Sequence, residues 1–126
     1  MQLQTEILAT CLHARISGQF EAESAMAIQE RIFAQARQAS QRAILIEVRE
    51  LRGAPEVMQR YKLALSIAEE SHRLTRALGT KVRVAFLGDD PVIAPDHFGE
   101  DVAVNRGANM RVFTDEAEAL EWLRAP

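Results

Sequence analysis

Between Ala43 and Val48 the chain reads AILIEV, almost unbroken aliphatic residue, and then stops at charge, glycine and proline in RELRGAPE. A run of this kind is a central strand covered on both faces, and such strands belong to largely parallel sheets with helices packed against them. The segments on either side carry the matching periodicities. Leu3, Thr5 and Ile7, then Leu12, Ala14 and Ile16, alternate with polar neighbours around Ala9-Thr10, the pattern of a hairpin. From Glu21 to Ala39, Ala25, Ile28, Ile32, Ala36 and Ala39 recur at helical spacing, with Met26 and Phe33 widening the stripe.

Past Val48 the same logic continues. Pro55 suits the first turn of a helix, and Val57, Tyr61, Ala64, Ile67, Ala68, Leu74 and Leu78 carry that helix to Gly79, a good stop residue. Val82 to Leu87 reads as another buried strand, closed by the turn Gly88-Asp89-Asp90-Pro91. A loop with two prolines, Pro91 and Pro95, leads to a short helix over Asp96 to Asn105, ended by Gly107. Met110 to Phe113 is the fifth strand, and Thr114-Asp115 caps a last helix that packs Ala119, Leu120 and Leu123 inward. The expected fold is α/β: one open, mixed, mostly parallel five-stranded sheet, an antiparallel hairpin at its start, and four helices covering both faces. A chain of 126 residues fits one domain over 1–126.

Composition narrows the function classes. With 48% hydrophobic and 26% charged residues the chain is an ordinary globular sequence, too apolar for disorder. No apolar run approaches the roughly 20 residues that span a bilayer, and the opening MQLQTEILATCLHARISG lacks the features of a signal peptide. A lone cysteine, Cys11, forms no internal disulfide and fits a cytoplasmic setting. Net charge is −3, yet residues 1–30 carry −3, residues 31–83 carry +6 and residues 84–126 carry −6. That polarity could steer an oppositely patterned partner or a second copy, and it equally describes solvated helix faces. Negative overall charge, one tyrosine and no aromatic-basic pattern argue against nucleic acid, and Arg60, Lys62, Arg73 and Arg76 read as the solvated side of their helix.

The element order, with ILIEVRELRG, VRVAFLGDD, NRGANMRVF and TDEAEALEWL, resembles the small bacterial proteins related to the sporulation anti-sigma-factor antagonist. These are the STAS-like (SpoIIAA-like) family, with CRAL/TRIO-like lipid-transfer folds among its relatives. The resemblance covers nearly the whole chain and implies a protein-interaction or ligand-sensing module rather than an enzyme. In the antagonist branch the loop after the third strand carries a phosphorylatable serine at the start of the next helix. Phosphate there adds charge and acceptors at a partner-facing helix terminus. This chain has Leu51-Arg52-Gly53-Ala54-Pro55-Glu56 at that place and no serine or threonine between Gln41 and Leu65, so the resemblance is not expected to extend to that switch.

The candidate site follows from strand ends, where ligands and partners meet open α/β sheets. A crevice is expected with Arg49, Arg52, Gly53 and Ala54 on one side and Gly88, Asp89 and Asp90 on the other, continued by Val57 and Tyr61 of the long helix. Either arginine could bind an anionic group or a partner carboxylate, or pair locally with Glu50, Glu56 or Asp89. The broad apolar face of the long helix, which Met58, Leu63 and Leu65 widen, has three readings: burial in the core, packing in a homodimer, or the wall of a pocket for a small apolar or amphipathic ligand. Asp89, Asp90, Asp96, His97, Glu100 and Asp101 have no metal-site spacing, with Asp96 a helix cap and His97 an exposed first-turn residue. His13, His72 and His97 lie on separate elements, His13 is expected to face solvent, and Cys11 to be a packing residue. No metal, cofactor or catalytic set is expected.

Overall fold

In the computed structural model, which describes residues 1–94 and 96–126, five strands and four helices follow one another in the expected order. Pro95, the second expected loop proline, lies outside the described residues. The strands are β1 (Gln2–Ile7), β2 (Leu12–Gln19), β3 (Ala43–Arg52), β4 (Arg83–Leu87) and β5 (Met110–Phe113). The helices are α1 (Ala22–Gln38), α2 (Val57–Leu78), α3 (Phe98–Asn105) and α4 (Glu116–Arg124). The sheet order is β1-β2-β3-β4-β5, antiparallel between β1 and β2 and parallel elsewhere.

An order that never reverses has a structural consequence. Successive parallel crossovers of one hand, stepping always in the same direction, lay their helices on one face of the sheet. Ile28 and Ile32 of α1 and Ile67 and Leu74 of α2 accordingly share a core with Leu12, Ala14, Ile16, Ile44, Ile46, Val48 and Val84 of the strands. Ala103 of α3 joins them through Ala64 and Ala68 of α2. The second face has only α4, whose Ala119 and Leu123 pack on Cys11, Ala43, Leu45, Ala85 and Leu87. Full burial of each large aliphatic side chain in these clusters contributes roughly 1.5–3 kcal/mol.

Helix ends follow local chemistry, with two differences from the sequence reading. The long helix begins at Val57, not at Pro55, because Glu56 is its cap: Glu56 and Gln59 form a reciprocal capping box. Its other end is Gly79, left-handed at φ 69°, with its N–H on the Thr75 carbonyl at 2.9 Å. The short helix starts at Phe98 rather than Asp96, and the Asp96 carboxylate accepts the Phe98 N–H at 3.1 Å. His97 occupies the cap position itself, exposed, with Nδ1 3.1 Å from Glu100. Asp115 caps α4 as expected, accepting the Glu118 N–H at 3.2 Å.

Two further departures bear on the site. The third strand does not end at Val48 but pairs on to Arg52, and a register shift opposite Arg15–Ser17 marks a bulge. The bulge places Leu51 with Val48 on the helix-covered side, three residues apart instead of two. His13 is buried rather than solvent-facing, at 4% exposure, because β2 is an inner strand and Glu47 of β3 lies beside it.

Candidate functional site

The strand extension moves the residues expected to line a crevice. Arg49 lies within β3 and its guanidinium meets Glu47 at 3.1 Å and Glu116 of α4 at 3.0 Å, on the α4 side of the sheet. Arg52 ends the strand exposed, its carbonyl accepting the Phe20 N–H at 2.7 Å. Gly53 turns the chain at φ +81°, where a Cβ would also stand 2.6 Å from the Gln19 amide nitrogen. Ala54 is half-buried, and Val57 and Met58 open α2 at 67% and 61% exposure. Across the sheet, Gly88 is buried while Asp89 and Asp90 are exposed, and neither aspartate pairs with Arg49 or Arg52 among the described residues. Tyr61 is half-buried, its hydroxyl accepting from Arg106 at 3.3 Å. The fold therefore gathers Arg52, Gly53, Ala54, Val57 and Met58 into one exposed stretch and sends Arg49 and Tyr61 elsewhere. An unreversed strand order also lacks the switch point at which crevices form in doubly wound sheets.

A pocket of this face lies deeper, beneath the first half of α2, and reaches Leu51 and Pro55 below the turn after β3. A cleft of about 120 Å³ opens between the sheet and the surrounding helices and loop. Its walls are apolar: Ile16, Ile46 and Val48 from the sheet, Leu63 and Ile67 from α2, and Ile93 from the β4–α3 loop. Four side chains with polar groups, Gln29, Arg60, His97 and Glu100, also line it. Arg60, read from the sequence as solvated, instead donates to the carbonyls of Pro91 and Val92 and straps the loop to α2. Glu100 accepts from the Val112 N–H at 2.6 Å and faces His97. Gln29 is 7% exposed, and its Oε1 has no hydrogen-bond partner among the described residues. The sequence held a signal for it: Gln29 sits four residues after Ala25 and three before Ile32, inside the apolar stripe of α1.

The opposite face carries a charged network that the sequence reading also missed. His13 Nε2 lies 2.9 Å from Glu47 Oε1, with Arg15 3.7 Å from the same oxygen and Arg49 on the other. Burial pushes the Glu47 carboxyl up, but hydrogen bonds from His13 and Arg49, reinforced by their charge, outweigh it and hold the group below its ordinary 4.5. Burial meanwhile raises the thiol of Cys11 above its ordinary 9.0, which keeps it protonated and weakly nucleophilic at neutral pH. Among the described residues no three His, Cys, Asp or Glu side chains converge as a metal site, and no helix is long and apolar enough to cross a membrane.

A mixed sheet with three helices on one face, a terminal helix on the other and an exposed turn after the central strand is the STAS architecture. The solved structures agree. The chain is similar to an anti-sigma factor antagonist from Mycobacterium paratuberculosis, with a TM-score of 0.65 at 12% identity, covering 98% of this chain and 94% of that one. It is similar to the anti-sigma factor antagonist SpoIIAA in its unphosphorylated form, at TM-score 0.63 and 15% identity, over 98% of this chain and 96% of that one. The phosphorylated form of the Bacillus cell fate determinant SpoIIAA aligns at TM-score 0.56 and 18% identity, over 98% of this chain and all of that one. No curated protein sequence matches the chain. The SpoIIAA-like family model matches residues 11–124, and the chain belongs to that family.

Proposed function

We propose that this protein is a non-enzymatic regulatory module of the cytoplasm that works by binding another protein through the turn after β3 and the first turn of α2. The observation that carries this reading is the pairing of Val57 and Met58, two large apolar side chains left exposed side by side at a helix start. Scattered exposed apolar residues are ordinary, but adjacent ones beside a bare Gly53-Ala54-Pro55 turn offer a partner apolar area and free backbone together. Arg52 adds a cation at the rim, suited to a partner carboxylate. The similar structures are of anti-sigma factor antagonists, so an anti-sigma-factor-like protein is the first partner class to test. No serine or threonine lies between Gln41 and Leu65, so binding is proposed to be independent of serine or threonine phosphorylation there.

Photo-crosslinking tests the surface. With a benzophenone side chain at position 58, one polypeptide from the host cell should be captured, and capture should fail when Val57→Asp is added. The same group at exposed Val104 of α3 should capture nothing in common. Equal capture from both positions would remove the surface from consideration.

The cleft is the observation behind a second reading, a carrier or sensor of a small apolar or amphipathic ligand between the long helix and the sheet. Its size restricts the reading: about 120 Å³ is below the roughly 300 Å³ at which drug-sized pockets begin. The occupant is therefore a compact molecule and not a lipid chain.

A further inference from the structure

We infer that the free edge of β1 pairs with the same edge of a second copy of this chain, antiparallel about a two-fold axis at Thr5, so that two sheets become one. The surface is distinct from the start of α2. It stands out because the two edges of the sheet differ. At β5, Asn109 and Phe113 turn their carbonyls to β4, accepting from Val84 and Gly88 at 3.0 Å, and the parallel ladder leaves Val112 facing out. The Val112 N–H is taken by Glu100 of α3 at 2.6 Å, and the Arg111 guanidinium lies over the Phe113 ring at 5.6 Å. A strand of four residues covered in this way is a closed edge.

β1 has none of these protections. Its six residues, QLQTEI, hold no proline and no base, and its register with β2 runs unbroken from Gln2–Ser17 to Ile7–Leu12. The Leu8 N–H meets the Cys11 carbonyl at 2.8 Å. Alternation along an antiparallel ladder therefore turns the backbone of Gln2, Gln4 and Glu6 to β2 and that of Leu3, Thr5 and Ile7 outward. Among the described residues none of these outward groups has a partner. Leu3, Thr5 and Ile7 oppose Ile16, Ala14 and Leu12, so their side chains lie on the face that α1 and α2 cover. Thr5 and Ile7 are nevertheless exposed, Ile7 at 52%, because β1 overhangs the helices.

The strand is complementary to itself in one register. Joining Thr5 to the partner's Thr5 joins Leu3 to the partner's Ile7, and satisfies the three outward N–H and three outward C=O groups of each strand. It covers the exposed Ile7 and sets Glu6 against the partner's Gln4. Gln4 itself opposes Arg15, and Arg15 opposes Glu47, so each Glu6 adds an acid to a row of amide, base and acid across the joined sheet. A shift of two residues one way sets Glu6 against the partner's Glu6, a repulsive pair, and the other way leaves Ile7 opposite Met1, beyond the strand. The two-fold uses the open edge of each chain once, and the closed edge at β5 ends the assembly at two.

Sedimentation velocity over a rising concentration series is the test, on wild type beside Thr5→Pro. Proline is tolerated on an edge strand where the N–H it removes faces out, so the variant keeps its pairing with β2 and loses the hydrogen bonds at the axis. Wild type should move from the mass of one chain towards that of two, with amide exchange at Leu3, Thr5 and Ile7 slowing as it does, and Thr5→Pro should stay at one. Should Thr5→Pro not fold, Thr5→Lys sets two ammonium groups side by side at the axis and carries the same comparison. Wild type that stays a single chain at every concentration would overturn the proposal, including one that instead captures a strand of another protein. So would a dimer that persists in the Thr5 variant, that leaves those three amides in free exchange, or that Val57→Asp breaks instead.

Discussion

Glu47→Ala is expected to lower the unfolding free energy by about 2–4 kcal/mol at neutral pH, the range for breaking a buried, hydrogen-bonded charge pair. Glu47 is the hub of its face: His13 and Arg15 of β2 and Arg49 of β3 all reach its carboxylate, and Arg49 passes the connection to Glu116 of α4. Arg15 and Arg49 are exposed enough to rehydrate when the carboxylate is gone. His13 is not, so its ring is left buried without an acceptor and supplies most of the loss. Replacing His13 and Glu47 together by leucine removes both polar groups and should cost much less than Glu47→Ala alone.

The pH dependence has a definite sign. Because the folded-state carboxyl is held below its ordinary 4.5, its contribution is fully present above that value and is lost as pH falls through the folded value. Wild type should therefore lose stability faster than Glu47→Ala as pH falls below 4.5, and the two denaturation curves should converge in acid. Urea titrations over this range measure it. A loss under roughly 0.5 kcal/mol at neutral pH, typical of a surface change, or a difference constant with pH, would contradict the network's role.

Gly88→Ala is the second large expected effect. This glycine directly follows β4, and a Cβ would stand 2.6 Å from Val48 Cγ2 and 3.3 Å from Ile93 Cγ1. Ile93 lies on a loop and can yield, but Val48 is a buried residue of the central strand whose branched Cβ restricts its side-chain rotation. The substitution should cost about 1–3 kcal/mol by overpacking, and it should also narrow the cleft that Val48 and Ile93 both line. Gly99→Ala is the control, since nothing lies within 4 Å of its Cβ position and it sits in the first turn of α3. Equal effects of the two in thermal melts would show that close approach does not set the cost.

These residues also mark where sequence reading succeeds. Hydrophobic period decides strand or helix locally, so all nine elements were legible, along with the caps at Gly79 and Asp115. The end of β3 was not, because the apolar signal stops at Val48 while backbone pairing with Ser17, Gly18 and Gln19 continues under charged side chains. His13 defeated the reading for a different reason. Alternation shows that it opposes Leu12 and Ala14, but its burial depends on Glu47, 34 residues away, and on how the strands are ordered. The crevice shared that difficulty: a reversal of strand order cannot be seen in a list of elements. The exposed turn at Arg52 to Met58 was within reach, since charge, glycine and proline after an aliphatic run mark a chain leaving the core.

Native mass spectrometry of the protein isolated from its own host tests the binding function most directly, run on wild type beside the Val57→Asp, Met58→Asp double variant. The expected spectrum has wild type carrying a second polypeptide at fixed stoichiometry and the variant, folded by circular dichroism, without it. A wild-type protein bare of any second polypeptide, or one carried equally by both proteins, would contradict the proposal that the start of α2 is where this module meets its partner.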